Sequence, residues 1–196
     1  STLAFTGAGV KVGVISDGAN TASAAQTSGD LPPAITSFGT CSVAVTGTTC
    51  NEGTAMMEII YDLAPGVSLG MGAASTSLEF IARVTDLRNW GAKVIVDDLG
   101  FLTQPYFEDG TVAAAYANAL AQGIVMVSAA GNLARSHYQA VYSNLAGTHN
   151  FGGGDITMNF SGANGSTAVI ILQWSNRFGA ATDDYDLCVA NTAGTV

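Results

Sequence analysis

The chain has 196 residues, of which 48% are hydrophobic, 11% are charged and 24 are glycine. This length and apolar fraction suffice for one substantial core, and they exclude a disordered chain. The 15 acidic residues outnumber the 6 basic ones, which gives a net charge of −9 without a basic cluster. We therefore expect no nucleic acid and no membrane among the partners, and the sequence contains no long uninterrupted apolar window that predicts a membrane span.

Predicted strands and helices alternate along the first two thirds of the chain. Strands are predicted over 10–18, 67–71, 94–100 and 123–128, and helices over 52–63, 77–90 and 111–122. The segment 19–50 is predicted to be loop with one short helix, and Ser77 is the expected N-cap of the second long helix. This alternation predicts an α/β fold, in which a parallel sheet carries helices on both faces.

The predicted helix over 52–63 begins with an acidic residue and ends before Pro65-Gly66. Glu52 lies in its first turn, where the helix dipole favours a negative charge. Ala55, Ile59 and Leu63 repeat every four residues, as do Met56 and Ile60, and together they predict one broad buried face. Taken alone, Glu52 is equally well explained as an ordinary first-turn glutamate.

The segment Gly123–Asn132 combines an apolar run with a turn of very small residues. The run predicts a strand that is buried on both faces. The small residues Ser128–Gly131 would let another backbone approach closely. Asn132 then offers an amide that can donate hydrogen bonds, which suits the stabilisation of an oxyanion. The alternative is an ordinary turn asparagine after a buried strand.

The cysteines bear on the compartment in which the protein matures. Cys41 and Cys50 enclose a short polar segment that can turn back at Gly47, so a disulfide between them is predicted and would imply export. The alternative is a pair of free thiols in a reducing compartment. We expect no metal at these cysteines, because neither histidine lies at ligand spacing from them. Cys188 is left over from this pairing.

The pattern changes near residue 150, which we interpret as a boundary between domains 1–150 and 151–196. Runs typical of strands follow at 156–160, 167–174 and 185–190 without an intervening helix, which predicts antiparallel β structure. A further interpretation is that this part begins a calcium- or carbohydrate-binding β domain, for which Asp183, Asp184 and Asp186 are the candidates. A solvated turn explains the same three residues.

Four segments resemble the motifs of subtilisin-like serine proteases in order and spacing, over roughly residues 8–135. Val12–Gly18 resembles the aspartate motif of that family, and Glu52–Met56 resembles its histidine motif with glutamate in place of histidine. Asp98-Leu99-Gly100 resembles the substrate-binding strand, and Ala129–Asn132 resembles the oxyanion motif. The remainder, 172–187, is similar to a β-sandwich insertion of some large subtilases.

Two departures from the family change what the resemblance implies. The related sedolisins use a glutamate on this helix, but they follow it with an aspartate where this chain has Met56, and Asn132 is of the subtilisin type. The family's nucleophile lies in a Gly-Thr-Ser motif, which does not occur in this sequence. We therefore expect the serine to lie beyond Val196, in the remaining C-terminal part of the same protease.

The resemblance implies a secreted serine endopeptidase that acts on polypeptides and is favoured by acid. In that interpretation Glu52 is the general base, Asp17 orients it, and Asn132 stabilises the oxyanion. Asp98 either assists Glu52, lines the substrate cleft and favours a basic side chain there, or forms a structural salt bridge. Backbone groups of Leu99, Gly100, Ala129 and Gly131 would hold an extended peptide substrate, and no cofactor beyond a structural calcium is implied. The alternative is a non-catalytic binding module with a subtilase fold.

Overall fold

The structure, a computed structural model, describes residues 5–41 and 49–191. The chain forms two compact units, one made of Ser1–Gly131 with Gln173–Val196 and the other of Asn132–Leu172. Neither unit ends at residue 150, and the predicted division into 1–150 and 151–196 stays a prediction. No helix in the described part of the chain is long and apolar enough to cross a membrane.

The first unit contains a parallel sheet of five strands. These are β1 (Lys11–Ser16), β2 (Ile35–Phe38), β3 (Ser68–Ala73), β4 (Val94–Asp97) and β5 (Val125–Ser128), in the spatial order β2-β3-β1-β4-β5. Within residues 5–41 and 49–191, four helices accompany them: α1 (Ala22–Ser28), α2 (Glu52–Leu63), α3 (Ser77–Trp90) and α4 (Thr111–Ala121). The predicted α/β fold with a parallel sheet is confirmed.

Two hydrophobic clusters divide the core between the faces of the sheet. Val14 belongs to the cluster that includes Met57 of α2, whereas the adjacent Ile15 belongs to the cluster that includes Leu87 of α3. Successive side chains of a strand point to opposite faces. Helices α1 and α2 therefore cover one side, called the α2 face below, and α3 and α4 cover the other, called the α3 face.

Strand β2 was not predicted. It lies within a segment rich in Ala, Ser, Thr, Gly and Pro, and its four residues show neither a long apolar run nor a sustained alternation. Its backbone pairs with β3 in parallel register, from Ile35 opposite Leu69 to Phe38 opposite Gly72. Pairing with a strong neighbouring strand thus defines β2, although local sequence gives no signal for it.

Helix α2 has the predicted bounds but buries a different face. Its buried residues are Gly53, Thr54 and Met57, whereas Ile59 is 62% exposed and Leu63 is 71% exposed. The predicted buried face was wrong for Ala55, Ile59 and Leu63, whereas Met56 and Ile60 are partly buried against the α2-face cluster, as expected. Apolar residues occupy most of the helix circumference, so its periodicity alone could not decide which side meets the sheet.

The N-cap of α3 is Thr76, so the prediction of Ser77 was wrong by one residue. The Thr76 hydroxyl accepts a hydrogen bond from the Glu79 backbone N–H at 3.2 Å, and the Glu79 carboxylate accepts one from the Thr76 N–H at 3.0 Å. This reciprocal pair is a capping box, in which the glutamate must lie three residues after the cap. Gly91 ends the helix in a left-handed conformation, as expected.

Strand β5 is less buried than expected. Val125 is 55% exposed and Val127 is 49% exposed, so the prediction of a strand buried on both faces was wrong. The strand forms one edge of the five-stranded sheet, and Met126 is the side chain of β5 that packs against the α3-face cluster. An edge strand has a neighbouring strand on one side only, so its side chains are less shielded from water than those of an interior strand.

The second unit contains a small antiparallel sheet of β6 (Asn144–Leu145) and β7 (Thr148–His149). Antiparallel β structure thus follows the parallel sheet, as predicted. The runs 156–160, 167–174 and 185–190 are not strands, however, and that part of the prediction was wrong. Val169 is 76% exposed and Ile156 is 47% exposed, because these residues pair with no neighbouring strand within the described ranges.

Candidate functional site

Three of the predicted site residues lie together at the carboxyl end of the sheet, on the α2 face. Asp17 follows β1 and its Oδ1 accepts a hydrogen bond of 3.0 Å from the backbone N–H of Glu52, the first residue of α2. Asp98 follows β4, and its Oδ2 accepts a hydrogen bond of 3.0 Å from the Ser16 hydroxyl. Ser16 at the end of β1 therefore contacts the acidic segment after β4, and Asp17, the next residue, contacts the start of α2.

Glycine at position 53 allows α2 to begin directly against the turn that follows β1. The Gly53 N–H donates to the Gly18 carbonyl oxygen at 3.0 Å. A Cβ atom at Gly53 would lie 2.6 Å from that same oxygen and 2.6 Å from Cε of Met71. Any larger residue would push the helix away from the turn, so the position of Glu52 beside Asp17 depends on this glycine.

The predicted disulfide between Cys41 and Cys50 is present, with Cα atoms 5.8 Å apart. It packs against the turn after Asp17, since a Cβ atom at Gly18 would lie 2.8 Å from the Cβ of Cys41 and 3.0 Å from that of Cys50. The Asn20 N–H donates to the Cys50 carbonyl oxygen at 2.9 Å. The disulfide thus buttresses the segment that carries Asp17. Cys188 is an exposed free thiol.

The three carboxylates influence one another electrostatically. The negative charge of Asp98 is the largest cause that raises the pKa of Glu52, followed by burial and by the charge of Asp17. Burial raises the pKa of Asp98, while the hydrogen bond from Ser16 opposes that change and Asp17 adds to it. Like charges at close range favour a shared proton. Glu52, which is exposed, therefore holds a proton to higher pH than an ordinary glutamate does.

Asp97 lies beside Asp98 in sequence but in a different environment, and sequence reasoning gave it no role. It is 2% exposed, and its Oδ1 accepts a hydrogen bond from the Ser128 hydroxyl at 3.2 Å. Its Oδ2 is buried and has no hydrogen-bond partner among the described residues. Burial raises the pKa of Asp97 to about 6, against the opposing hydrogen bonds from Ser128 and the Leu99 N–H.

A signal for Asp97 was present in the sequence. Two consecutive carboxylates at the end of a strand must point to opposite faces of the sheet. Helices cover both faces of this sheet. Asp97 must therefore lie on the face opposite to Asp98, where helices also cover it. Asp97 lies two residues after Ile95, which belongs to the α3-face cluster, and this spacing assigns its side chain to that face.

The proposed substrate-binding residues lie in two segments at the same end of the sheet. The Ala129 N–H donates to the Asp97 carbonyl oxygen at 3.0 Å and is therefore engaged within the protein. No atom lies within 4 Å of a Cβ placed at Gly100 or at Gly131, so both backbones face open space. Gly131 has a φ of 80°, which favours glycine. The substrate-binding roles of Leu99, Gly100, Ala129 and Gly131 stay predictions.

Asn132 is exposed and is the first residue of the second unit. Its proposed role as an oxyanion donor therefore stays a prediction from the sequence.

Within residues 5–41 and 49–191, no group of three histidine, cysteine, aspartate or glutamate side chains is arranged to hold a metal ion. The candidate calcium ligands Asp183, Asp184 and Asp186 accordingly do not form such a group there.

A comparison of the chain with protein-family models finds none that matches, and a comparison with curated proteins finds no significant relative.

Proposed function

We propose that this chain supplies the acid–base part of a secreted serine endopeptidase that works in mild acid, with Glu52 as the general base. The nucleophilic serine is proposed to lie in a further part of the same protease. The observation that carries the proposal is the contact between Asp17 and the start of α2, which brings Glu52 into the field of two other carboxylates.

The position of Glu52 suits a base that must approach a substrate. Its side chain is exposed, whereas Asp17 is 6% exposed. Asp17 accepts a hydrogen bond from the Glu52 main chain, which leaves the Glu52 carboxylate able to meet a serine hydroxyl. A general base needs that reach, together with a pKa near the working pH.

The proposed reaction follows acyl transfer to serine. The Glu52 carboxylate removes the hydroxyl proton as the serine oxygen attacks the carbonyl carbon of the peptide bond, and the carbonyl oxygen becomes an oxyanion. The Asn132 amide stabilises that oxyanion, as the sequence resemblance suggests. Glu52 then donates the proton to the leaving amine, and water completes the second half of the reaction by the same steps.

The raised pKa of Glu52 sets the direction of the pH dependence. Glu52 can accept a proton only when ionised, so base-dependent activity rises as the pH increases through its raised pKa. The pH range in which Glu52 can act as a base is therefore shifted upward from that of an ordinary glutamate.

The test uses the protease that contains this chain together with its serine-bearing part. We expect Glu52→Gln to abolish peptidase activity at every pH, because the amide cannot accept the proton. Glu58→Gln, on the same helix, is the matched control and should retain activity. Full activity of Glu52→Gln, or a pH optimum above neutrality, would exclude Glu52 as the base.

A serine-directed fluorophosphonate distinguishes the peptidase from a binding module with the same fold. The peptidase forms a covalent adduct, and the adduct should be lost in Glu52→Gln. Absence of any adduct in the complete protein would favour a non-catalytic peptide-binding module instead.

A further inference from the structure

Asp97 holds the first two residues of the turn Ser128–Gly131 against the end of β4. In the parallel register of β4 and β5, Asp97 lies opposite Ser128. Its side chain accepts the Ser128 hydroxyl at 3.2 Å, and its carbonyl oxygen accepts the Ala129 N–H at 3.0 Å. One residue therefore secures the turn through both its side chain and its main chain.

The second carboxyl oxygen of Asp97 is buried without a hydrogen-bond partner in the described part of the chain. An ionised carboxylate is costly to bury unless its oxygens are hydrogen-bonded or paired with a cation. A protonated carboxyl avoids that cost and retains an oxygen that can accept the Ser128 hydroxyl. The geometry therefore favours the neutral form of this side chain.

The elements around Asp97 bring it little compensating charge. Their charged and titratable groups are Asp98 on its own segment, Asp17 after β1, Lys11 in β1, Glu79, Arg83, Asp86 and Arg88 on α3, and Tyr116 on α4. Arg83 is paired with Asp86 at 2.7 Å, and Arg88 donates to Asn89. Lys11 is at the opposite end of the sheet, where it donates to the Trp90 carbonyl oxygen. Strand β5 and the turn through Gly131 carry no charged residue.

We propose that Asp97 is a positioning residue whose protonated side chain holds the turn Ser128–Gly131 against β4 and whose ionisation loosens that turn. The relevance of Asp97 to catalysis rests on the proposed function, in which Asn132, the residue after the turn, stabilises the oxyanion. The contact between Asp97 and the turn is a property of the fold and does not depend on peptidase activity.

The ionisation of Asp97 should change the folding equilibrium with pH in one direction. Burial raises the pKa of Asp97 from 3.8 to about 6. Below the lower value the folded and unfolded chains both hold the proton. Between the two values only the folded chain holds it, so the folding equilibrium weakens as pH rises. The loss approaches about 100-fold and becomes constant only above pH 6, where the folded chain has also lost the proton.

The experiment uses the 196-residue chain without substrate. The carboxyl signal of Asp97, assigned by its loss in Asp97→Asn, is followed by carbon-13 NMR between pH 3 and pH 8. Amide hydrogen exchange of Ala129, corrected for intrinsic rates, is followed over the same range. We expect the Asp97 signal to titrate near pH 6 and the protection of Ala129 to fall with it.

The variants separate this role from general acid effects. Asn has the shape of Asp but does not titrate, so Asp97→Asn should protect Ala129 equally at all pH values. In Asp98→Asn, the matched control, the protection of Ala129 should still fall as the pH rises. Ser128→Ala removes a hydrogen bond that favours the ionised form, so it should move the midpoint to higher pH.

A titration near pH 4, a fall that persists in Asp97→Asn, or a midpoint that does not rise in Ser128→Ala would each overturn the proposal. Ser128→Ala decides the matter if Asp97→Asn does not fold. Failure of the peptidase proposal would appear only in the fluorophosphonate and activity assays, so the two can be told apart.

Discussion

Two adjacent aspartates at the end of β4 lie on opposite faces of the sheet and in very different environments. Asp98 lies on the α2 face, receives a hydrogen bond from Ser16, and acts through its charge on the exposed Glu52. Asp97 lies on the α3 face, receives a hydrogen bond from Ser128, and is 2% exposed. The same residue type therefore contributes to a cluster of three carboxylates on one face and to a buried contact between strands on the other.

The helices that cover each face of the sheet, rather than the residue type, therefore determine whether a carboxylate is buried and how its pKa shifts. On the α2 face, the small residue Gly53 lets the start of α2 lie against the turn, and Glu52 stays exposed to solvent although Asp17 is buried. On the α3 face, Phe80, Leu87 and Ile95 are almost fully buried and exclude water. Burial disfavours a charge, and so the pKa of Asp97 is raised to about 6 chiefly by desolvation.

The largest expected effect comes from opening the α3 face. Phe80 is 1% exposed, and its ring stacks on Tyr116 at 5.7 Å and meets Phe101 edge-on at 5.5 Å. We expect Phe80→Ala to lower the free energy of unfolding by about 3–5 kcal/mol, from lost burial and the cavity left behind. Chemical denaturation measures the change.

The matched control for this prediction is Leu78→Ala, on the same helix. Leu78 is 77% exposed, so its truncation should change the free energy of unfolding by about 0.5 kcal/mol or less. Equal losses in the two variants would show that the α3 face is not a packed layer.

The next largest effect concerns the disulfide that buttresses the turn on the α2 face. Replacing Cys41 and Cys50 with serine should lower the free energy of unfolding by about 2–3 kcal/mol, because a cross-link over nine residues restricts the unfolded chain. Denaturation with and without a reductant measures it. Cys188→Ser is the control and should leave stability unchanged; an insensitive wild-type protein would contradict the prediction.

A third prediction concerns the contact between α2 and the turn. Gly53→Ala should cost about 1–3 kcal/mol, because the added methyl group overlaps the Gly18 oxygen and Met71. Ala55→Ser, at an exposed position of the same helix, should cost only about 0.5 kcal/mol of helix propensity. A stabilising effect of Gly53→Ala, as expected for a helix free of contacts, would contradict the close approach.

The smallest effect is electrostatic. Asp98→Asn removes the largest cause of the raised pKa of Glu52, so the Glu52 carboxyl should titrate at lower pH. Carbon-13 NMR titration measures the midpoint. Asp62→Asn removes the same charge from the other end of α2 and should leave the Glu52 midpoint in place. A midpoint that stays unchanged in Asp98→Asn would show that the two carboxylates do not interact.

The helices were predicted closely because their signals are local. The ends of α2 and α3 follow from Pro65-Gly66 and from Gly91, which stop a helix whatever surrounds it. The disulfide between Cys41 and Cys50 was predictable for the same reason, since a short segment with a turn separates the two cysteines. Asp17 and Asp98 follow β1 and β4, and parallel strands end at one edge of the sheet, which explains why these two side chains lie close together.

The strands show where such reasoning fails. β2 has a weak local pattern but forms because β3 pairs with it, whereas Val169 and its neighbours have a strong pattern but no paired strand within the described ranges. A strand is completed only by hydrogen bonds to another strand, so its existence depends on residues far away in the sequence.

Local sequence patterns therefore sufficed for the approximate bounds of the main helices, for four of the five strands of the parallel sheet and for the disulfide. The buried side of α2, the edge position of β5 and the near-complete burial of Asp97 depended on tertiary packing. Local signals fix backbone conformation within a few residues, but burial and charge depend on which distant surfaces are packed together.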